Sequence, residues 1–155
     1  MIPDKLIEFL KGPVIGAAGT RDSNLQSSVH RIWGTKVNDD KESMTVYVAE
    51  VMADNMLKNL EDNGHIACTI GEPISHENYQ FKGKFISSKK SDVVDEAFQD
   101  ECIMKFVEQE RKSGMPEEAL QVFSKIIYKP SIAITFKVEE IYNQTPGPGA
   151  GAKLN

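Results

Sequence analysis

Cysteine, tryptophan and histidine are all scarce in this chain of 155 residues, which holds two, one and three of them. Cys68 and Cys102 cannot build a disulfide framework, so free thiols in a reducing compartment are expected. His30, His65 and His76 stand at no metal-ligand spacing to one another or to the cysteines, and no metal site is expected. A nucleophile elbow and a P-loop are missing. The glycines of Gly147-Pro-Gly-Ala-Gly151 stand near the end of the chain and open no helix, so they make no dinucleotide loop. Basic residues are outnumbered, 18 against 23, for a net charge of −5. That balance argues against binding to nucleic acid, which favours a basic face. No apolar run approaches the ~20 residues of a membrane span. Met1-Ile-Pro-Asp-Lys-Leu6 carries an early acid and no basic-then-apolar pattern, so no signal peptide and no membrane partner are expected, and the cytoplasm is the expected location.

What remains is ordinary globular composition, 40% hydrophobic and 26% charged, in one expected domain over 1–155. Apolar residues at positions 6, 7, 9 and 10 predict a short helix over 4–11, stopped by Gly12-Pro13. A strand of small residues follows over 13–20, then a turn at 21–24 and a second strand over 28–37, making a hairpin. A third strand is expected over 44–51. A helix then starts with Asp54 as candidate N-cap and ends at Gly64. Strands over 65–71 and 79–88 lead to a longer helix capped by Ser91, with Val94, Phe98, Cys102 and Phe106 on one face. A short helix from Pro116 precedes the last strand, 131–142, and residues 144–155 form an irregular Pro/Gly-rich tail. There is no internal repeat. Six short strands with hairpin turns and short helices predict a mainly β chain folded as a small antiparallel barrel.

Two strands carry chemistry. In Ser28-Val-His-Arg-Ile-Trp-Gly-Thr-Lys-Val37, alternation puts Arg31, Trp33 and Thr35 on one face and His30, Ile32, Gly34 and Lys36 on the other. Arg31 offers a rigid fork for phosphate and Lys36 a point charge. Trp33 is an apolar plate, and Gly34 leaves room for a ring against backbone. An exposed edge strand with ordinary charges reads the same way. In Tyr79-Gln-Phe-Lys-Gly-Lys-Phe85, Gln80, Lys82 and Lys84 share the face opposite Phe81 and Phe85, and an amide such as Gln80 can both donate to and accept from a heterocycle. Lys82, Lys84, Lys89 and Lys90 are accompanied by no acid from 80 to 90, which also suits a solvated, edge-protecting strand. An acidic domain with cations and a ring on its strands is suited to a flat anionic ligand. The backbone N–H groups at 53–55 favour an anion, unless Asp54 caps them itself.

Over about residues 5–145 the order of these segments resembles the FMN-binding split-barrel proteins related to pyridoxamine 5′-phosphate oxidase. The resemblance is carried by the hairpin, the Arg-x-x-x-x-Lys strand from Arg31 to Lys36, Val46-Tyr-Val-Ala-Glu50, the helix Asn55-Met-Leu-Lys-Asn-Leu-Glu-Asp-Asn63, and the Gln-Phe-Lys-Gly strand. The ending Asn143-Gln-Thr-Pro-Gly-Pro-Gly-Ala-Gly151 looks like that of one uncharacterised branch. The resemblance implies a six-stranded antiparallel split β-barrel and an obligate homodimer with two FMN sites at its interface. It implies that Arg31, Ile32, Trp33, Gly34 and Lys36 line the phosphate and ring edge, with Ala49 and Glu50 under the flavin. Asn55 and Met56 fall where a basic pair is common, and Gln80 where an amide meets the ring. Met56 in place of lysine and Glu50 in place of a hydroxyl imply either a weaker hold on the phosphate or its transfer to Arg31, Lys36 and Lys82. The segment that recognises pyridoxal phosphate in the true oxidase has no counterpart, so that reaction is not expected. The implied activity is an FMN-dependent oxidoreductase acting on an unknown small molecule, with no side chain standing out as catalytic. Alternatives are a non-catalytic flavin or haem carrier and a deazaflavin-dependent reductase. The homodimer is also expected because Trp33 and the apolar tail residues have little of their own chain to pack on.

Overall fold

Gly34 divides the long second strand in two. It sits at φ +148°, and an added Cβ would lie 3.2 Å from the Tyr47 ring and 3.4 Å from Gln99, so glycine is required both for backbone freedom and for space. The computed structural model describes residues 1–123, 125–126 and 128–154. In it β1 (Ile15–Arg21) pairs with β2 (Ser27–Ile32), whereas β3 (Thr35–Val37), just past Gly34, pairs with β4 (Ser43–Ala49). Seven strands therefore form where six were expected. The others are β5 (His65–Gly71), β6 (Asn78–Lys90) and β7 (Ser131–Asn143). All pair antiparallel in the order β2-β1-β5-β6-β7-β4-β3.

The change of partner curls the sheet. Trp33 N–H donates to the Tyr47 carbonyl at 2.8 Å, and Tyr47 N–H donates to the Gly34 carbonyl at 3.1 Å. The two ends of the sheet thus meet at one point, and the rest of the seam stays open, the geometry of a split barrel. Inside lie Leu6 from α1 (Asp4–Leu10), Met56 and Leu60 from α2 (Asp54–Asn63), and Val46, Phe81 and Phe136 from the strands. Each such side chain contributes roughly 1.5–3 kcal/mol by leaving water.

The helix ends match the sequence in one place and differ in two. Gly64 closes α2 at φ +71°, its N–H on the Leu60 carbonyl at 3.0 Å. The N-cap of α2, however, is Ala53 with no side-chain bond, so Asp54 is the first helical residue and leaves the cap to backbone alone. In α3 (Val93–Lys112) the cap is Asp92 rather than Ser91. The Asp92 carboxylate accepts from the N–H groups of Val94 and Asp95, and Asp95 reaches back to the Asp92 N–H, a reciprocal capping box. A carboxylate serves this end better than a hydroxyl because the helix dipole adds to the bonds. The helix is also rotated from the expected face: Val94 is 74% exposed, while Asp95, Gln99, Phe106 and Glu110 are turned inward. α4 (Glu117–Phe123) follows.

The tail is less irregular than its composition suggests. It turns back on β7, with Asn143 N–H on the Ala152 carbonyl at 2.9 Å, Leu154 N–H on that of Ile141 at 2.8 Å, and a bridge between Tyr142 and Lys153. Trp33 likewise finds a partner in its own chain, stacking on Tyr128 with ring centres 5.7 Å apart.

Candidate functional site

Strand register collects part of the expected site on one sheet face. Arg31 pairs with Ala17, Ala17 with Thr69, Thr69 with Gln80 and Gln80 with Tyr142. The adjacent row runs Val29, Gly19, Ala67, Lys82, Glu140. Directly paired residues of antiparallel strands project to the same side. The outcome is a floor of small side chains, Ala17, Gly19, Ala67 and Thr69, with Arg31 at one end and Gln80 and Lys82 at the other. Arg31 and Gln80 are three strands apart, roughly 14 Å at the usual spacing.

The rim is polar and cationic. Arg31 is exposed and makes no ion pair with another described residue. Lys82 lies over the Tyr142 ring, 4.5 Å from its centre, and Gln80 Nε2 donates to Thr69 Oγ1 at 3.3 Å. Over Gly19 and Ala67 is an open cleft of about 530 Å³ to which Arg21, His65 and Lys82 contribute, together with Glu139 and Glu140, the latter directly opposite Lys82 on β7. The small residues of 13–20 read in the sequence as a buried strand, and neither the open floor they form with Ala67 and Thr69 nor the place of Arg21 and His65 beside it was legible there.

The other expected residues go elsewhere. Trp33, Gly34, Lys36, Ala49 and Glu50 lie at the β3–β4 side of the sheet, where α3 and Tyr128 cover much of the surface. Lys36 Nζ is 3.7 Å from Asp95 Oδ1 and about equally far from the centres of the Tyr47 and Phe98 rings, 5.7 and 5.6 Å. Glu50 pairs with Lys90 at 2.7 Å and Ala49 is buried against Ser131. Ile32 and Met56 are core residues, which leaves the Met56 side chain nothing to offer an anion, and Asn55 is exposed on the first turn of α2. Alternation along 28–37 implied two consistent faces, and the Gly34 break ends that alternation between Arg31 and Lys36.

Under α3 lies a polar cluster that sequence reading did not find. Asp95, 5% exposed, accepts from Tyr47 OH at 2.7 Å and pairs with Lys89 at 2.7 Å. Gln99 Nε2 donates to Ser131 Oγ at 2.9 Å, which donates to Ser91 Oγ at 2.7 Å. Burial alone would raise the Asp95 pKa, but the bonds from Lys89, Tyr47 and the Asp92 N–H outweigh it and hold the carboxyl at about 2. Burial first, then the bond to Asp95, pushes the Tyr47 hydroxyl well above its usual range. A depressed carboxyl pKa stabilises the fold above the unfolded value near 3.8, and that contribution is lost as pH falls toward 2. Asp95→Asn should therefore cost about 2 kcal/mol at pH 7. Urea unfolding should show the gap to the parent protein closing between pH 4 and 2, and a gap that persists unchanged at pH 2 would refute the assignment.

No protein-family profile and no curated protein matches the chain in sequence. Solved structures match it in shape. HupZ of Group A Streptococcus superposes with a TM-score of 0.56 at 16% identity, over 97% of this chain and 100% of that one. An F420 reductase gives 0.55 at 11% identity, over 90% and 98%. A candidate pyridoxamine 5′-phosphate oxidase from Lactobacillus delbrueckii gives 0.54 at 11% identity, over 91% and 93%. The chain thus has the split-barrel fold of the pyridoxamine 5′-phosphate oxidase-like proteins. Among the described residues no helix is long and apolar enough to cross a membrane.

Proposed function

We propose that this protein binds FMN on the open face of β2, β1, β5 and β6 and works as a flavin-dependent oxidoreductase on a small molecule. The observation that carries the reading is the row from Arg31 to Gln80: a free guanidinium, a floor without bulk, and an amide at the far end. Arg31 can meet the phosphate with two parallel charge-assisted bonds. Gln80 can donate to and accept from the polar ring edge, and Ala17, Gly19, Ala67 and Thr69 leave a flat ring room to lie on backbone. The flavin supplies the electron transfer, and the chain supplies orientation and hydrogen bonds that tune it. Lys36 and Glu50 already have partners, so the phosphate falls to Arg31, while Lys82 stands at the opposite, ring end beside Gln80.

A second copy of this chain is the cover for the same face. Val29, 66% exposed, and the small residues beside it present apolar surface that no segment of the described chain occupies. FMN titrated into apo-protein should quench flavin fluorescence and raise the melting temperature through linkage to the native state, and light scattering should report a dimer holding two flavins. No change in either signal at large FMN excess would end the flavin reading. A monomer that holds stoichiometric FMN would end the dimer and keep the flavin. The deazaflavin F420 added in place of FMN separates a reductase of that type.

A further inference from the structure

A separate cavity of about 220 Å³ lies between α1, β3 and α3, away from the open sheet face. Its walls are apolar: Ile7 and Leu10 from α1, Val37 from β3 and Phe98 from α3. Its charges are all of one sign. Lys11, Lys36 and Lys105 line it and no acid does. Two of the three are already paired: Lys11 with Glu8 at 2.6 Å, and Lys36 with Asp95 at 3.7 Å, a carboxylate that Lys89 also holds at 2.7 Å. Lys105 has no carboxylate among the described residues and spends its ammonium on the Lys11 carbonyl at 3.1 Å.

An independent observation marks the same place. Thr35 lines the cavity, is only 5% exposed, and its hydroxyl has no hydrogen-bond partner among the described residues. A buried polar group left without a partner costs free energy that a ligand can recover. The size is selective too. An apolar cavity of roughly 150 Å³ accommodates benzene, so this one takes a single ring or a short chain together with a carboxylate.

We propose that this cavity is a second binding site, for a small apolar carboxylate of about the size of benzoate. The apolar body lies among Ile7, Leu10, Val37 and Phe98, and the carboxylate is held by Lys105 and accepts a bond from the Thr35 hydroxyl. Cys102, the half-buried thiol on the same wall, becomes a reporter of occupancy; Cys68 is fully buried and does not interfere.

The test uses the full chain, with benzoate as probe and benzyl alcohol as its neutral counterpart. Calorimetry should show benzoate binding in the millimolar range or tighter, with benzyl alcohol at least about tenfold weaker. Lys105→Gln lies on the surface and keeps the cavity, and it should weaken benzoate about tenfold through loss of a charge-assisted bond. Saturating benzoate should slow alkylation of Cys102 by N-ethylmaleimide, and should do so equally with and without FMN. No binding at about 10 mM benzoate, equal affinity for the alcohol, or an unchanged affinity in Lys105→Gln would each overturn the site. Benzoate that competes with FMN and leaves Cys102 unprotected would overturn it as well, since the probe would then occupy the sheet face. The flavin reading stands or falls separately, on FMN alone.

Discussion

Arg31→Ala is expected to cut FMN affinity tenfold to a hundredfold while riboflavin affinity changes by about twofold or less. The guanidinium is exposed on β2 and has no ion pair among the described residues to give up, so a bound phosphate gains the full charge-assisted pair, typically ~1.5–3 kcal/mol. Riboflavin has the ring without the phosphate, and it separates the two roles the residue could play. The substitution should leave thermal stability nearly unchanged in the absence of ligand, because Arg31 is not packed. Fluorescence titration with both ligands decides the matter. Equal losses would mean that Arg31 only supports the strand, and a drop in apo-protein stability would show the same. Lys36→Ala serves as the contrast: with its ammonium already beside Asp95, it should affect FMN much less than Arg31→Ala does.

Gly83→Ala is expected to be the most damaging single methyl that can be added to this chain. Gly83 sits where the pairing of β6 with β7 slips by one residue, and a Cβ there would lie 1.8 Å from the Lys137 carbonyl oxygen and 2.8 Å from its carbon. Both are backbone atoms of the neighbouring strand, so no rotamer can give way. The two 13-residue strands must separate locally or the bulge must move. The expected cost exceeds about 3 kcal/mol, or a fall of at least roughly 6 °C in Tm for a chain of this size. Gly19→Ala is the control. Its added Cβ would approach nothing nearer than 3.8 Å, so stability should hold or rise slightly as the unfolded chain loses freedom. Thermal unfolding of the two variants side by side is the measurement. Similar Tm values would show that β6 and β7 can reset their pairing cheaply.

How far the sequence reached depended on the range of the physics at each position. Alternation and turn residues act over a few neighbours, and they placed β5 at 65–71, the end of α2 at Gly64, the hairpin of β1 and β2 and the long last strand. The same local signals made residues 28–37 one strand, because nothing within that window says that Tyr47 supplies the hydrogen bonds on either side of Gly34. That long-range choice added the seventh strand and separated Arg31 from Lys36.

The hydrophobic patterns and the glycine and proline stops agreed on a small antiparallel barrel, and only the resemblance of the ordered motifs to a known family implied that the barrel is split. The fate of individual charges was not legible there. Lys36 and Glu50 looked as free as Arg31 in the sequence, and only packing of α3 and β6 against the β3–β4 side brought Asp95 and Lys90 to them. Helix periodicity could not reveal that α3 would bury Asp95 and Gln99 instead of Val94, because polar groups go inside only where partners from distant strands, here Tyr47 and Ser131, meet them. The sequence by itself determined where the β segments lie, though not the division of 28–37 into two strands, and that they pair antiparallel. Which face stays open, and which cation on it stays unpaired, was decided by tertiary structure, because burial and partnership belong to residues far apart in the chain.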